Sequence, residues 1–227
     1  MEKIPQHVMD YLKAKDELMQ QRKAKLKKGP NVVQLRYLSQ HISPEELSTL
    51  EKAFQDTGLE LSAMDTSGIP KNSISSLSAD LILTITEPGI SGVLLSGLLT
   101  NGLYDGLKAL LIKCWFLVKG KPTVSITSHT VTEYPAKFHL VIKNGNQMLE
   151  FKTENLSEEN IGPAIDRISK TLIDLKKEER NVFEYSIKSN LWQPLDINID
   201  YLKQPQEGLR QIPLEAYLAE LRKKENS

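Results

Sequence analysis

The sequence predicts an α+β fold: a mixed sheet with a central long apolar helix and a three-stranded meander, flanked by helical N- and C-terminal extensions. Three observations predict it. From Asp80 to Lys121 the chain reads as a strand, a glycine turn and a long helix, and no other stretch is as hydrophobic. Ahead of it, VVQLRYL, SPEELSTLEKAF and LELSAM read as strand, helix, strand. Behind it, PTVSITSHTVT alternates with period two, and Asn144-Gly145 joins AKFHLVIK to QMLEFKT as a hairpin turn.

The bulk composition bounds the function classes. With 29 basic and 29 acidic residues in 227, net charge favours neither nucleic acid nor an acidic partner for the whole chain. The charge is uneven, because Lys13 to Lys28 holds seven basic residues against Asp16 and Glu17. A single cysteine, Cys114, excludes an intrachain disulfide framework and fits a reducing compartment. MEKIPQHVMDYLKAKDEL contains no apolar run, so a secretory signal is not expected and the protein reads as cytoplasmic.

In chain order, residues 1–29 are expected as an N-terminal basic amphipathic helix, solvated or packed loosely, ended by Gly29-Pro30. Residues 30–180 are expected as the core domain. Its first unit runs from a strand at Asn31 to Ser39 through a helix to a strand at Leu59 to Met64. Ser43 is the helix N-cap, Pro44 its first residue and Glu46 the partner in a capping box; Gly58 ends it. Asp65 to Ser78, rich in Ser, Gly and Pro, reads as a loop. Ala79 to Thr86 is nearly all apolar, as befits a strand covered on both faces.

The long helix carries the interaction candidates. Gly92, Gly97, Gly102 and Gly106 each cost about 1 kcal/mol against alanine in a helix interior. Close approach of another backbone would account for them, and Gly102 and Gly106 have the small-xxx-small spacing. Leu99, Leu103 and Leu107 share one face with Leu110, Cys114 and Leu117. Gly89 to Tyr104 is 16 residues without charge, about 24 Å of helix. That is shorter than a span, and extending it to Val118 would bury Asp105, Lys108 and Lys113. The alternative to a core helix is therefore a membrane-acting effector that inserts the Gly89–Val118 helix. A nucleotide-sensing domain that binds phosphate at the Gly89–Gly92 turn is a second alternative, but the turn lacks G-x-G-x-x-G and has Glu87 beside it.

Beyond the meander, Ser157-Glu158-Glu159 opens a helix to about Glu179, with Ile161, Ile165, Ile168, Leu172 and Leu175 inward. Residues 181–227 are expected as a C-terminal extension: strand-like FEYSI and LDINI, then a short amphipathic helix at Leu214 to Leu221. Trp192 and Tyr217 are the partner-anchoring candidates there, set against simple packing on the body. His129 and His139 on neighbouring strands have no third ligand in pattern, and no serine has a G-x-S-x-G context. No catalytic, metal or cofactor site is expected.

The run VVQLRYLSQHISPEELSTLEKAF, LELSAM, DLILTITEPGISGVLLSGLLTNGLYDGLKALLIKCW, PTVSI, the Asn144-Gly145 hairpin and the following helix resembles the effector-associated constant component family. The resemblance covers about Asn31 to Leu175 and rests on element order and the strand, small-residue turn and apolar helix. It implies a small bacterial domain set beside effector modules in conflict and immunity systems, with no catalytic residues to transfer. The expectation is a non-enzymatic adaptor or scaffold that binds an effector or sensor subunit and forms a homo-oligomer, with no nucleic acid partner.

Overall fold

The computed structural model describes residues 6–29, 31–67, 81–86, 88–96, 102–126, 130–144, 146–153, 156–171, 180–195, 210–213, 215–216 and 218–219. The N-terminal helix α1 (Gln6–Ala24) precedes a parallel unit of β1 (Val32–Tyr37), α2 (Pro44–Asp56) and β2 (Glu60–Asp65). Local chemistry sets this unit. Ser43 Oγ accepts from the Glu46 N–H at 3.1 Å while the Glu46 carboxylate accepts from the Ser43 N–H at 2.8 Å, the expected capping box. Gly58, at φ 78°, turns the chain out of the helix, and the Leu59 N–H returns to Phe54 O. Buried Leu50 and Phe54 form its inward face.

Next come β3 (Leu81–Ile85), α3 (Pro88–Ser96) and α4 (Gly102–Val118). Two hairpins follow, β4 (Pro122–Ile126) with β5 (Thr130–Pro135), then β6 (Phe138–Asn144) with β7 (Gln147–Lys152). The chain continues through α5 (Glu158–Asp166), α6 (Ile168–Thr171), β8 (Arg180–Ser186), β9 (Leu191–Pro194) and β10 (Arg210–Pro213). The fold is α+β. A seven-stranded mixed sheet has the order β2-β1-β3-β6-β7-β8-β9, and β10-β5-β4 form a second, three-stranded sheet.

In the large sheet β1–β2, β3–β6 and β7–β8 are parallel, and the pairs between them are antiparallel. One face carries Val33, Leu35, Leu61, Leu81, Leu83, Ile85, Phe138, Leu140, Ile142, Leu149, Phe151, Phe183, Tyr185 and Trp192. These form one core with α2, α3, α4, α5 and α6, through residues such as Phe54, Leu94, Leu111 and Ile165. Each such buried Leu, Ile or Phe contributes roughly 1.5–3 kcal/mol. Phe151 stacks on Phe183 and meets Trp192 edge-on, both at 5.1 Å between centroids.

Several expectations change. The apolar stretch forms two helices, α3 and α4, on either side of residues 97–101, which lie outside the described residues; a single long helix is not what is described. Among the described residues the three expected strands do not form one meander. PTVSITSHTVT divides into β4 and β5, which belong to the small sheet, while β6 pairs in parallel with β3 and leaves β7 as its hairpin partner. The helix expected to run from Ser157 to Glu179 breaks at Arg167. Arg167 leaves the helix at φ −92° and ψ −5°, and its N–H closes on Ala164 O, three residues back. Residues 172–179, with Leu172 and Leu175, lie outside the described residues.

The boundary expected at residue 181 falls inside β8. Strands β8 and β9 complete the large sheet and β10 pairs with β5, so these parts of the C-terminal stretch are built into the fold rather than appended to it. The LDINI strand lies outside the described residues beyond Leu195, and residues 215–216 and 218–219 are helical. Among the described residues no helix is long and apolar enough to cross a membrane.

Candidate functional site

The residues expected to form an interaction surface on the long helix are largely internal. Leu107 is fully buried, and Leu103 is partly buried against the same core. Gly106 does make a close approach, but to a side chain: a Cβ placed there would lie 2.9 Å from Thr57 Cγ2, next to the C-terminus of α2. Gly102 and Gly92 face open space and are exposed. Gly97, Leu99 and Tyr217 lie outside the described residues.

Gly89 and Gly92 belong to the first turns of α3, which begins at Pro88. Trp192 is buried, and its indole N–H donates to Ala164 O at 2.7 Å, so it anchors β9 on α5 rather than a partner. Leu103, Leu107 and Trp192 thus pack on the core that the sheet and helices share.

A different group emerges from the strand register. On the face opposite the apolar core, one row of partners runs Met64, Arg36, Ile82, His139, Lys152, Glu184 and Gln193 across seven strands. Side chains on paired positions share a face, and neighbouring strands lie about 4.8 Å apart. The row beside it holds Ser62, Gln34, Thr84, Val141, Glu150 and Val182. Part of this face is polar yet withdrawn from water: His139 is 1% exposed, and Glu150, Lys152, Thr84 and Ser62 are all buried.

His139 Nδ1 lies 2.8 Å from Glu150 Oε1, joining β6 to β7 on the diagonal. A buried carboxylate beside a buried imidazole is stable only as such a bonded pair. In the same row, between Met64 and Ile82, Arg36 is partly buried. Its Nε is buried with no hydrogen-bond acceptor, and desolvation holds the guanidinium below its ordinary value.

The segment following α1 lies on this same face beside Arg36. The Lys27 N–H donates to Ser62 Oγ at 2.9 Å, and Gln34 Nε2 donates to Lys27 O at 3.4 Å. Lys27 Nζ pairs with Glu60, which raises its pKa first through that hydrogen bond and then through the charge. Arg22 Nη1 donates to Asp65 O and Ser67 O at 2.7 and 2.8 Å. These bonds fasten the C-terminal end of α1 to β2, while much of the helix, including Met9 at 48% exposure, faces solvent.

Other reactive groups are structural. Burial pushes the Cys114 thiol up to about 12, which removes its nucleophilic form at neutral pH. Tyr104 is raised by burial and then by its hydrogen bond to Asp166, whose Oδ1 accepts from Tyr104 Oη at 2.8 Å and from Lys108 Nζ at 2.7 Å. That cluster ties α4 to α5.

His41 is buried against Thr123 at 2.8 Å, which ties the loop before α2 to β4. His129 lies outside the described residues, and among those described no three His, Cys, Asp or Glu side chains are grouped to hold a metal. No protein-family model, curated protein or solved structure matches the chain.

Sequence reasoning missed the row because it treated His139 as an isolated strand residue. The signal was present in the hairpin. A two-residue turn after Asn144 pairs Asn144 with Gln147, and counting outward sets His139 opposite Lys152 and beside Glu150.

Proposed function

We propose that the chain is a non-enzymatic adaptor or scaffold of a bacterial defence-type system, acting in the cytoplasm through a protein partner and through self-association. The observation that supports it best is how the ionisable residues are held. His139 and Glu150 are bound to each other inside the sheet face, and Cys114 is sealed in the core with its thiol protonated. Groups that could turn over a substrate are thus used to hold strands together, while the surface offers side chains for binding.

The resemblance to the effector-associated constant component family points the same way. The described elements between residues 31 and 171 run strand–helix–strand, strand, two helices, two hairpins and two helices, against the single strand, hairpin and helix of the resemblance after its apolar helix. The binding surfaces differ from those first expected, because Leu107 and Trp192 are internal. The exposed candidates are Phe116 on α4 and the β8–β9 turn, where Ile187 is 59% exposed and Leu191 is 40% exposed.

The test is co-expression of the full chain with each protein encoded beside it, followed by affinity capture in detergent-free buffer. The reading expects one neighbour to co-elute in fixed stoichiometry. It fails if the chain elutes alone from every combination, or if it turns over a small molecule in the absence of any partner.

A further inference from the structure

We propose that β4 is a pairing edge for a second copy of this chain. Two β4 strands meet antiparallel about a two-fold axis at Ser125 and join two three-stranded sheets into one. The proposal rests on the self-association in the reading above and names the surface that carries it.

Strand β4 ends the small sheet, in the order β10-β5-β4. Its backbone groups alternate in direction. The Ala136 N–H donates to Lys121 O, so Lys121, Thr123 and Ser125 turn their N–H and C=O toward β5. Those of Val124 and Ile126 point the other way, to the open edge, and no hydrogen-bond partner for them is found among the described residues. Pro122 is exposed and Val124 partly exposed, so the edge can be approached.

An unpaired edge is a template for another strand, and proteins normally blunt it with proline, charge or a covering element. Among the described strands the other edges are blunted. β9 and β10 turn Pro194 and Pro213, which have no N–H, outward. β2 has the end of α1 fastened on it, with Arg22 on the Asp65 carbonyl.

Beyond Pro122 at its start, β4 has no such device. Thr123 to Thr132 contains no Asp, Glu, Lys, Arg or Pro and is mostly Thr, Val and Ile, which favour strands. The strand is also held in place before any partner arrives. Thr123 Oγ1 lies 2.8 Å from His41 Nε2, and Lys121 Nζ donates to His41 O, so little order is lost on pairing.

The occupant follows from the row of groups. About an axis at Ser125, Val124 stands opposite Ile126 of the copy, and each pair exchanges bonds in both directions. An axis at Val124 would instead set Pro122 opposite Ile126, whose C=O then lacks a donor. An uncharged strand meets its own copy with no like charges opposed. The pairing closes at two chains, because the far edge of each sheet carries Pro213.

The test is sedimentation equilibrium of the full chain alone over a concentration series, with amide hydrogen exchange read at Val124. The expected result is a reversible dimer of the 25.6 kDa chain, with exchange at Val124 slowing as it forms. Val124→Pro should weaken the dimer about tenfold or more at an unchanged melting temperature, because that N–H makes no bond within the chain. With Cys114 sealed in the core, Ser125→Cys should cross-link to a covalent dimer in air with copper–phenanthroline. Pro122→Cys, whose copies would stand roughly 20 Å apart, should not.

Should Val124→Pro not fold, the two cysteine variants carry the test. A chain of 25.6 kDa at every concentration, a dimer that Val124→Pro leaves intact, or cross-linking no faster at 125 than at 122 would each overturn the proposal. So would protection of Val124 that appears only with a protein encoded beside the chain, since the edge then serves another strand. None of these outcomes removes capture of such a neighbour, so failure here is distinguishable from failure of the adaptor reading.

Discussion

His139 Nδ1 lies 2.8 Å from Glu150 Oε1 across the β6–β7 ladder, and both side chains are buried on the polar face of the sheet. With Glu150 ionised the carboxylate only accepts, and the proton of the bond then sits on Nδ1. Replacing Glu150 by Ala removes that bond from a buried site, at a cost of roughly 1–3 kcal/mol. His139→Ala removes the same bond from the other side at a similar cost. The double variant should be less destabilised than the sum of the two, with a coupling of about 1 kcal/mol or more in urea unfolding. A coupling near zero would mean that this bond is not what holds the pair.

Gly106→Ala tests the contact between α4 and the end of α2. Alanine is favoured over glycine in a helix by about 1 kcal/mol. Here its Cβ would press on Thr57 Cγ2, and Thr57 is itself held by a 2.7 Å bond from Oγ1 to Phe54 O. Overpacking costs of about 1–3 kcal/mol should outweigh the propensity gain, so the variant unfolds at lower urea. In a Thr57→Ser background, which removes the methyl and keeps the hydroxyl, the same change should be neutral or stabilising. Destabilisation of equal size in both backgrounds would point to a different cause.

Much of this was readable before any coordinates. The Ser43 to Glu46 box, the β1–α2–β2 unit, the buried β3 and the Asn144 hairpin all depend on chemistry within a few residues, and each stands where the pattern placed it. What was not readable depends on partners far along the chain. The alternation of PTVSITSHTVT fits one strand or two, and the second sheet exists only because β10 pairs with β5. Leu107 and Trp192 looked available because nothing local shows what covers them; the cover comes from the sheet and from Ala164. Arg36 could be found only by reading register across β1, β3 and β6.

Cys114 should be silent to thiol reagents. Its ordinary value of 9.0 rises to about 12 on burial, so at pH 8 native protein should not react with iodoacetamide, and unfolded protein should. The sign of the pH effect follows. Because the folded value lies above the unfolded one, the contribution is complete below about pH 9 and is lost as pH rises toward 12. Cys114→Ala should therefore flatten the alkaline part of a stability profile. Rapid labelling of the native protein would place the thiol outside the core.

Ser43→Ala removes one half of the capping box and leaves the Glu46 N–H without its side-chain acceptor. The expected loss is about 1 kcal/mol. For a chain of this length that amounts to a fall of roughly 2–4 °C in melting temperature by calorimetry. Ser43→Asp, which keeps an acceptor at the N-cap, should recover most of it. An alanine variant as stable as the parent would mean that water or another side chain replaces the cap.

The adaptor reading is tested most directly by the molar mass of the full chain, measured by light scattering without detergent, alone and mixed with each protein encoded beside it. The chain itself weighs 25.6 kDa. The account predicts a larger species of defined stoichiometry, either a homo-oligomer or a complex with one neighbour. If every mixture returns 25.6 kDa for this chain, or if it leaves the membrane fraction only with detergent, the account is contradicted.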